Sequence, residues 1–199
     1  MSRACGVMNI LIIYAHPNPR SFNAAILETL DAALRARGHV TRIHDLYRMQ
    51  FRAVLDGEDL LRNWRGDLPV DTRREQDALR WAEGLVFIYP VWWFGPPAIL
   101  KGWIDRVFTR KFAFDFGPTG MTGLLTHKKA LILSTLGGDE ATYQRERWEE
   151  LLIRPMAEGV LTACGVGDVV YQAFYEVPTI SLAERLTMLD RVCALATAF

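Results

Sequence analysis

The sequence predicts an α/β domain with a doubly wound parallel sheet, and three observations predict it. Short, fully apolar runs recur along the chain, amphipathic helical stretches separate them, and several of the runs end in loops of Gly, Pro and aromatic residues. Residues 85–108, LVFIYPVWWFGPPAILKGWIDRVF, show the pattern most fully. An apolar run from Leu85 to Tyr89 stops at Pro90, and Trp92, Trp93 and Phe94 follow. Gly95, Pro96 and Pro97 then turn the chain into a segment whose apolar residues recur at helical spacing. Strand, aromatic loop and helix in this order place the loop at the carboxyl edge of a parallel sheet, where open α/β folds bind ligands.

The elements follow in order. Ile10 to Tyr14 is too short for a helix and reads as a strand buried on both faces. Phe22, Ile26, Leu30, Ala33 and Leu34 form one helical stripe, ended by Gly38. Val40 to Leu46 reads as a second, less apolar strand near a sheet edge. Residues 48–72 are a polar excursion with a helical turn around Glu58–Asn63, and a loop of that length is commonly functional. A helix over Asp71 to Glu83 leads into the third strand. Ile99, Leu100, Trp103, Ile104, Val107 and Phe108 mark the helix after the aromatic loop. Residues 110–127 form a second excursion, and Lys129 to Leu136 a fourth strand ending at Gly137-Gly138. A polar loop carrying Tyr143 precedes a helix around Glu150–Cys164, which Pro155 kinks or restarts. Val169 to Phe174 is a fifth strand. Ser181 to Ala198 closes the chain as a helix, with Ser181 its N-cap and Glu184 at the capping-box position.

Five strands alternating with about five helices, joined by right-handed crossovers, lead to the flavodoxin-like order 2-1-3-4-5 with helices on both faces. That order brings the loops after strands one, three and four to one crevice. Residues 9–199 are expected to form one such domain, and residues 1–8 a disordered leader with Met8 as a second available start.

Composition excludes several function classes. With 23 basic and 23 acidic residues the formal net charge is zero, so no basic surface calls for nucleic acid or an anionic membrane. Three cysteines, Cys5, Cys164 and Cys193, are odd in number and widely spaced, which indicates neither a disulfide framework nor a zinc site. Reduced thiols, a leader without a signal-peptide apolar core and runs well short of about 18 apolar residues predict a cytoplasmic protein with no membrane span. The four histidines, His16, His39, His44 and His127, lack metal-ligand spacing, so no metal is expected. There is no GxGxxG, P-loop or GxSxG motif.

The chemistry lies in three loops. AHPNPRSFN (15–23) opens the first helix, whose amino terminus is an anion site. Ser21 or Asn23 caps the helix, capping and phosphate binding share one geometry so that both can hold, and His16 and Arg20 add donors. Pro90, Val91, Trp92, Trp93, Phe94 and Gly95 combine backbone amides with flat apolar surface, which suits a flavin's polar edge and apolar faces, although adjacent aromatics also serve as core. STLGGDEATY (134–143) offers Gly137 and Gly138 for close backbone approach to a ring, and Tyr143 as a donor to accumulating negative charge.

With these residues in place, the chain resembles the NAD(P)H:quinone oxidoreductases of the DT-diaphorase type over nearly all of residues 9–190. AHPNPRSFN, DLY (45–47), FIYPVWWFGPPAILKGWIDRVF and TLGG followed by Tyr143 carry the resemblance. It implies FAD, with FMN the alternative, and NAD(P)H as co-substrate. It also implies His16, Phe22 and Asn23 at the flavin's phosphate and ribityl end, and Val91 to Phe94 with Thr135, Leu136, Gly137 and Gly138 along the ring. Arg185 matches the arginine that reaches the adenine half. A homodimer is implied, with Phe112, Phe114 and Phe116, together with Trp93, walling the substrate pocket across the subunits. Two features depart from the family. Glu149 stands where members carry a histidine that assists the tyrosine, here Tyr143, and the excursion after the second strand is short.

The expected activity is two-electron transfer from NAD(P)H through a flavin to quinones or similar planar acceptors, with ping-pong kinetics. Some relatives are instead cytosolic regulatory subunits of potassium-efflux transporters, which is the alternative function. A one-electron carrier fits less well, since such carriers are strongly acidic and this chain is neutral.

Overall fold

A computed structural model describes residues 6–199, with elements in the order β1(Asn9–Tyr14), α1(Phe22–Ala36), β2(Val40–Asp45), α2(Gly57–Arg65), α3(Val70–Trp81), β3(Gly84–Pro90) and α4(Ala98–Val107) in the first half. There follow β4(Phe114–Gly117), β5(Gly120–Gly123), β6(Lys129–Thr135), α5(Glu140–Arg145), α6(Glu149–Ile153), a π-helical stretch over Arg154–Thr162, β7(Asp168–Phe174) and α7(Leu182–Leu195). Five strands form one parallel sheet in the order β2-β1-β3-β6-β7. The expected order 2-1-3-4-5 left out a two-stranded antiparallel hairpin, β4-β5, which falls inside the second excursion. Gly117 and Gly120 flank its turn, and Phe114 and Phe116 alternate along its first strand, a strand period the glycine content had masked.

The two faces of the sheet explain why its central strands show no alternation. Ile10 and Ile12 of β1 pack with Ile26, Leu30 and Val192 of α1 and α7 on one face. Leu11 and Ile13 pack with Leu79, Trp103 and Leu161 on the other. The middle residues of these strands, Ile10 to Ile13 in β1, Leu85 to Ile88 in β3 and Ala130 to Leu133 in β6, meet a helix layer on either face and are all apolar. β2 pairs on one side only and carries exposed residues, as an edge strand does.

Of the further details, those at Pro155 and at Ser181–Glu184 agree with expectation and the other three depart from it. The helical turn near residue 58 is a full helix, α2, capped by Asp56, whose carboxylate accepts from the Asp59 N–H. The loop carrying Tyr143 is itself helical, because Asp139 caps α5 by accepting from Thr142 N–H at 2.8 Å. Pro155, without an N–H, sits where α6 widens into the π-helical stretch. Residues 1–5 of the expected leader lie outside the described residues; Met8, its last residue, is buried and donates its N–H to His39 Nδ1 at 3.1 Å. The Ser181–Glu184 capping box is present in both directions.

Candidate functional site

Parallel strands leave their last carbonyl and amide groups at one edge of the sheet, and the turns after β1, β3 and β6 meet there. The register aligns Pro90 with Thr135, so β3 and β6 end level, and Tyr14 with Ile88, so β1 ends two residues earlier at the same edge. Val91 N–H donates to the Thr135 carbonyl at 2.9 Å, and Asn23 Nδ2 to Thr135 Oγ1 at 2.7 Å. Thr135 therefore joins all three turns.

In the first turn Ser21 caps α1, accepting from Ala24 N–H at 3.2 Å and lying 3.3 Å from the Tyr14 hydroxyl. Among the described residues the N–H groups of Phe22 and Asn23 find no hydrogen-bond acceptor, which leaves the positive end of α1 open. Asn23 Oδ1 is buried without a partner. His16 is half-buried, its Nδ1 held by the Asn18 backbone and its ring 6.4 Å from Trp92, and burial lowers its pKa. Arg20 is exposed. Arg185 reaches this turn from α7: its guanidinium lies 5.7 Å from the Phe22 ring and donates to the Val177 carbonyl at 2.7 Å.

The second turn is a tight hairpin. Trp92 and Gly95 exchange backbone bonds at 2.9 and 3.1 Å, and the two residues between them, Trp93 and Phe94, have φ of 50° and 60°. Positive φ at both central positions defines a type I′ turn, whose usual occupants are Asn and Gly. Bulky aromatics there are strained, and backbone strain of this kind clusters at functional sites. Trp93 is 97% exposed, whereas Phe94 turns inward against Tyr143 at 6.0 Å and Trp148 at 5.4 Å. The amides of Val91, Trp92 and Gly95 are taken by backbone partners, so of the donors expected along this turn those of Trp93 and Phe94 have no partner among the described residues.

In the third turn Leu136 is buried and its N–H donates to the Phe174 carbonyl at 2.8 Å, while the amides of Gly137 and Gly138 have no partner among the described residues. The glycines differ in purpose. A Cβ on Gly138 would lie 2.7 Å from Tyr143 Cε2, so this glycine admits the tyrosine ring. A Cβ on Gly137 would meet only Pro178, at 3.8 Å. Tyr143 packs in a ring cluster with Phe94, Trp148 and Tyr175, and burial raises its pKa, keeping its hydroxyl a donor. Glu149 accepts from the Tyr175 hydroxyl at 2.8 Å.

This donor set fits a flavin. Paired free amides at Phe22–Asn23 suit a phosphate, the orphaned Asn23 oxygen a polyol hydroxyl, and the amides at Trp93–Phe94 and Gly137–Gly138 a heteroaromatic edge. The aromatics of the second excursion, Phe112, Phe114 and Phe116, lie elsewhere. Phe112 and Phe114 line a cavity of about 660 Å³ with Leu60, Trp64 and Phe108, and none of the residues of the three turns is in its walls. Phe116 is exposed beside Phe114. Although that cavity is the larger, the paired free amides and the strained turn are all at the sheet edge. Beside the aromatic turn lies a smaller apolar cavity of about 110 Å³, lined by Tyr89, Val91, Phe94, Met156 and Tyr171. Trp148 and Tyr175 were missed from the sequence. The position of Tyr175 just past the fifth parallel strand was the available signal.

Residues 8–194 match a family described by a flavodoxin-like fold. An uncharacterized NAD(P)H oxidoreductase of Haemophilus influenzae is 33% identical over 184 residues, 92% of this chain and 91% of that protein. NAD(P)H dehydrogenase (quinone) 1 of Cavia porcellus is 33% identical over 175 residues, 78% of this chain and 64% of its own length. The structure of an NAD(P)H:quinone oxidoreductase from Methanothermobacter marburgensis superposes with a TM-score of 0.88 at 31% identity, over 96% of each chain. None of the three is described as a transporter subunit. With its parallel sheet, its converging turns and these relatives, the chain belongs to the flavodoxin-like family of NAD(P)H:quinone oxidoreductases.

Proposed function

We propose that this protein is a flavin-dependent NAD(P)H oxidoreductase that reduces quinones or similar planar acceptors in two-electron steps, with ping-pong kinetics. The observation that carries this function is the set of free amide pairs, at Phe22–Asn23, Trp93–Phe94 and Gly137–Gly138, around an edge walled by aromatic rings. A bound flavin would supply the hydride chemistry, accepting from NAD(P)H and passing on to the acceptor. Phe22, Asn23, Ser21 and His16 would hold its phosphate and ribityl end, and Trp93, Phe94, Gly137 and Gly138 would orient its ring. Tyr143, a protonated phenol, would place a hydrogen-bond donor where negative charge develops. The exposed Trp93 ring offers a flat face to the acceptor and, being apolar, excludes water from it.

Two finer points belong to the same proposal. FAD is favoured over FMN because Arg185 stands at the phosphate end of the site, beside Phe22. The working unit is a homodimer, because the exposed Phe116 and the apolar walls around Phe112 and Phe114 form no part of this chain's own edge site and are free to close a partner's. Sedimentation of the purified protein tests the dimer, and the mass of the released cofactor tests FAD.

The deciding experiment is the visible spectrum of purified, flavin-reconstituted protein, followed by anaerobic mixing with NADH or NADPH. Yellow protein that bleaches on mixing and recovers its colour with a quinone supports the function. Protein that stays colourless overturns it. Tyr143→Phe is expected to retain flavin and to bleach more slowly.

A further inference from the structure

A fourth segment reaches the carboxyl edge, the chain leaving β7. Phe174 accepts from Leu136 N–H at 2.8 Å, Val177 donates to the Leu136 carbonyl at 3.0 Å, and Glu176 donates to the Gly138 carbonyl at 3.0 Å. These bonds zip residues 174–177 onto the Gly137–Gly138 turn, and Glu176 takes a φ of 53° to make the bend. Tyr175 is held between them, buried. With Leu136 and Leu152 it makes a small core against which Val91, Phe94 and Tyr143 pack, so side chains from the second and third turns rest on a cluster that contains this residue. Its ring centroid is 5.6 Å from that of Tyr143.

We propose that Tyr175 is a positioning residue of this site: its ring backs Tyr143, and its hydroxyl pins the Glu149 carboxylate against the aromatic wall. The proposal rests on the oxidoreductase function above and adds to it a residue that the chemistry of the three turns did not call for. The choice of side chain supports it. A phenylalanine would back the ring equally well, whereas the hydroxyl donates to Glu149 Oε1 at 2.8 Å across 26 residues of sequence. Glu149 lies at the start of α6, on a helix of only five residues, and gains a fixed place from this bond. The pinned carboxylate in turn acts on the phenols. Burial first and the Glu149 bond second push the Tyr175 pKa well above that of a free tyrosine, and Glu140 and Tyr171 add smaller pushes in the same direction. Tyr175 therefore stays a donor throughout the working pH range, and the wall keeps one geometry behind Tyr143.

Two variants separate positioning from packing. Tyr175→Phe keeps the ring and removes the donor; its kcat is expected to fall about tenfold with the KM for NAD(P)H little changed, the size of effect that a displaced orienting group produces. Glu149→Gln keeps an acceptor for the hydroxyl and removes the charge, and its loss should be smaller. Carbon NMR of Tyr175 Cζ in ring-labelled, flavin-free protein gives a readout independent of turnover. In Glu149→Gln the Tyr175 phenol should ionise at lower pH than in the wild type. Wild-type kcat in Tyr175→Phe, or an unchanged Tyr175 titration in Glu149→Gln, would overturn the proposal. Should Tyr175→Phe not fold, the titration decides alone. Wild-type protein that neither holds flavin nor oxidises NAD(P)H would overturn the oxidoreductase function and the positioning role with it, while the titration still reports on the Tyr175–Glu149 pair.

Discussion

Asn23 and Thr135 lie 112 residues apart in sequence, yet the amide of one donates to the hydroxyl of the other at 2.7 Å where the first helix and the fourth parallel strand meet. Both are almost wholly buried, and the Asn23 oxygen has no partner. Thr135→Val keeps the shape and removes the acceptor, which strands the amide donor as well. A cost of about 1–3 kcal/mol is expected by urea unfolding. Flavin affinity, followed by fluorescence quenching on titration, should fall in the same variant. Unchanged affinity would remove Thr135 from the cofactor end of the site.

Trp93 combines two costs that a merely structural residue would not carry, a φ of 50° and 97% exposure. Trp93→Gly relieves the left-handed conformation, which costs an ordinary residue about 1–2 kcal/mol, although glycine returns part of that gain through the freedom of its unfolded chain. Thermal melting is expected to show equal or slightly greater stability, while quinone turnover drops. A clear loss of stability would mean that the indole packs in the folded state.

Arg106 of α4 is the cation that holds the excursion between β2 and α3. It is buried and donates to Asp59 at 3.0 Å, to Asp71 at 2.5 Å and to the Arg52 carbonyl at 2.8 Å. Arg106→Met leaves the Asp59 carboxylate buried with only Arg52 beside it, and breaking such a pair costs roughly 3–5 kcal/mol. Chemical unfolding should show that loss, and limited proteolysis should cut first within residues 52–71. A variant within about 1 kcal/mol of the wild type would show that water replaces the guanidinium.

Acid should weaken the fold through two histidines remote from the site. Burial lowers the pKa of His127, whose Nε2–H donates to the Leu79 carbonyl at 2.9 Å, and that of His39, whose Nδ1 accepts from Met8 N–H. Their folded-state pKa values lie below the unfolded value of about 6.5, so the unfolded chain takes up protons first as pH falls. Stability is therefore full above about pH 6.5 and declines below it. Urea midpoints at about pH 8 and about pH 5 should differ, and His127→Asn should narrow the difference. Midpoints that do not move with pH would show that these histidines are not protonated on unfolding.

The sequence by itself determined the layers and the edge at which they act. Unbroken apolar runs such as Ile10–Ile13 and Leu85–Ile88 require cover on both faces, which makes them central parallel strands, and the loops that follow then share one side. Local signals placed the Ser181–Glu184 box and narrowed the cap of α1 to Ser21 or Asn23, because a cap is a bond between residues three apart, and the structure chose Ser21. Only the tertiary structure decided what those loops offer. It spent the Val91, Trp92 and Leu136 amides on backbone partners, gave Gly138 to the Tyr143 ring, and set Phe112 and Phe114 around a separate cavity. It also brought Tyr175 to Glu149. The physical reason is that periodicity reports the direction and burial of a side chain within its own element, whereas the partner of a donor or a ring is chosen by how separate elements pack.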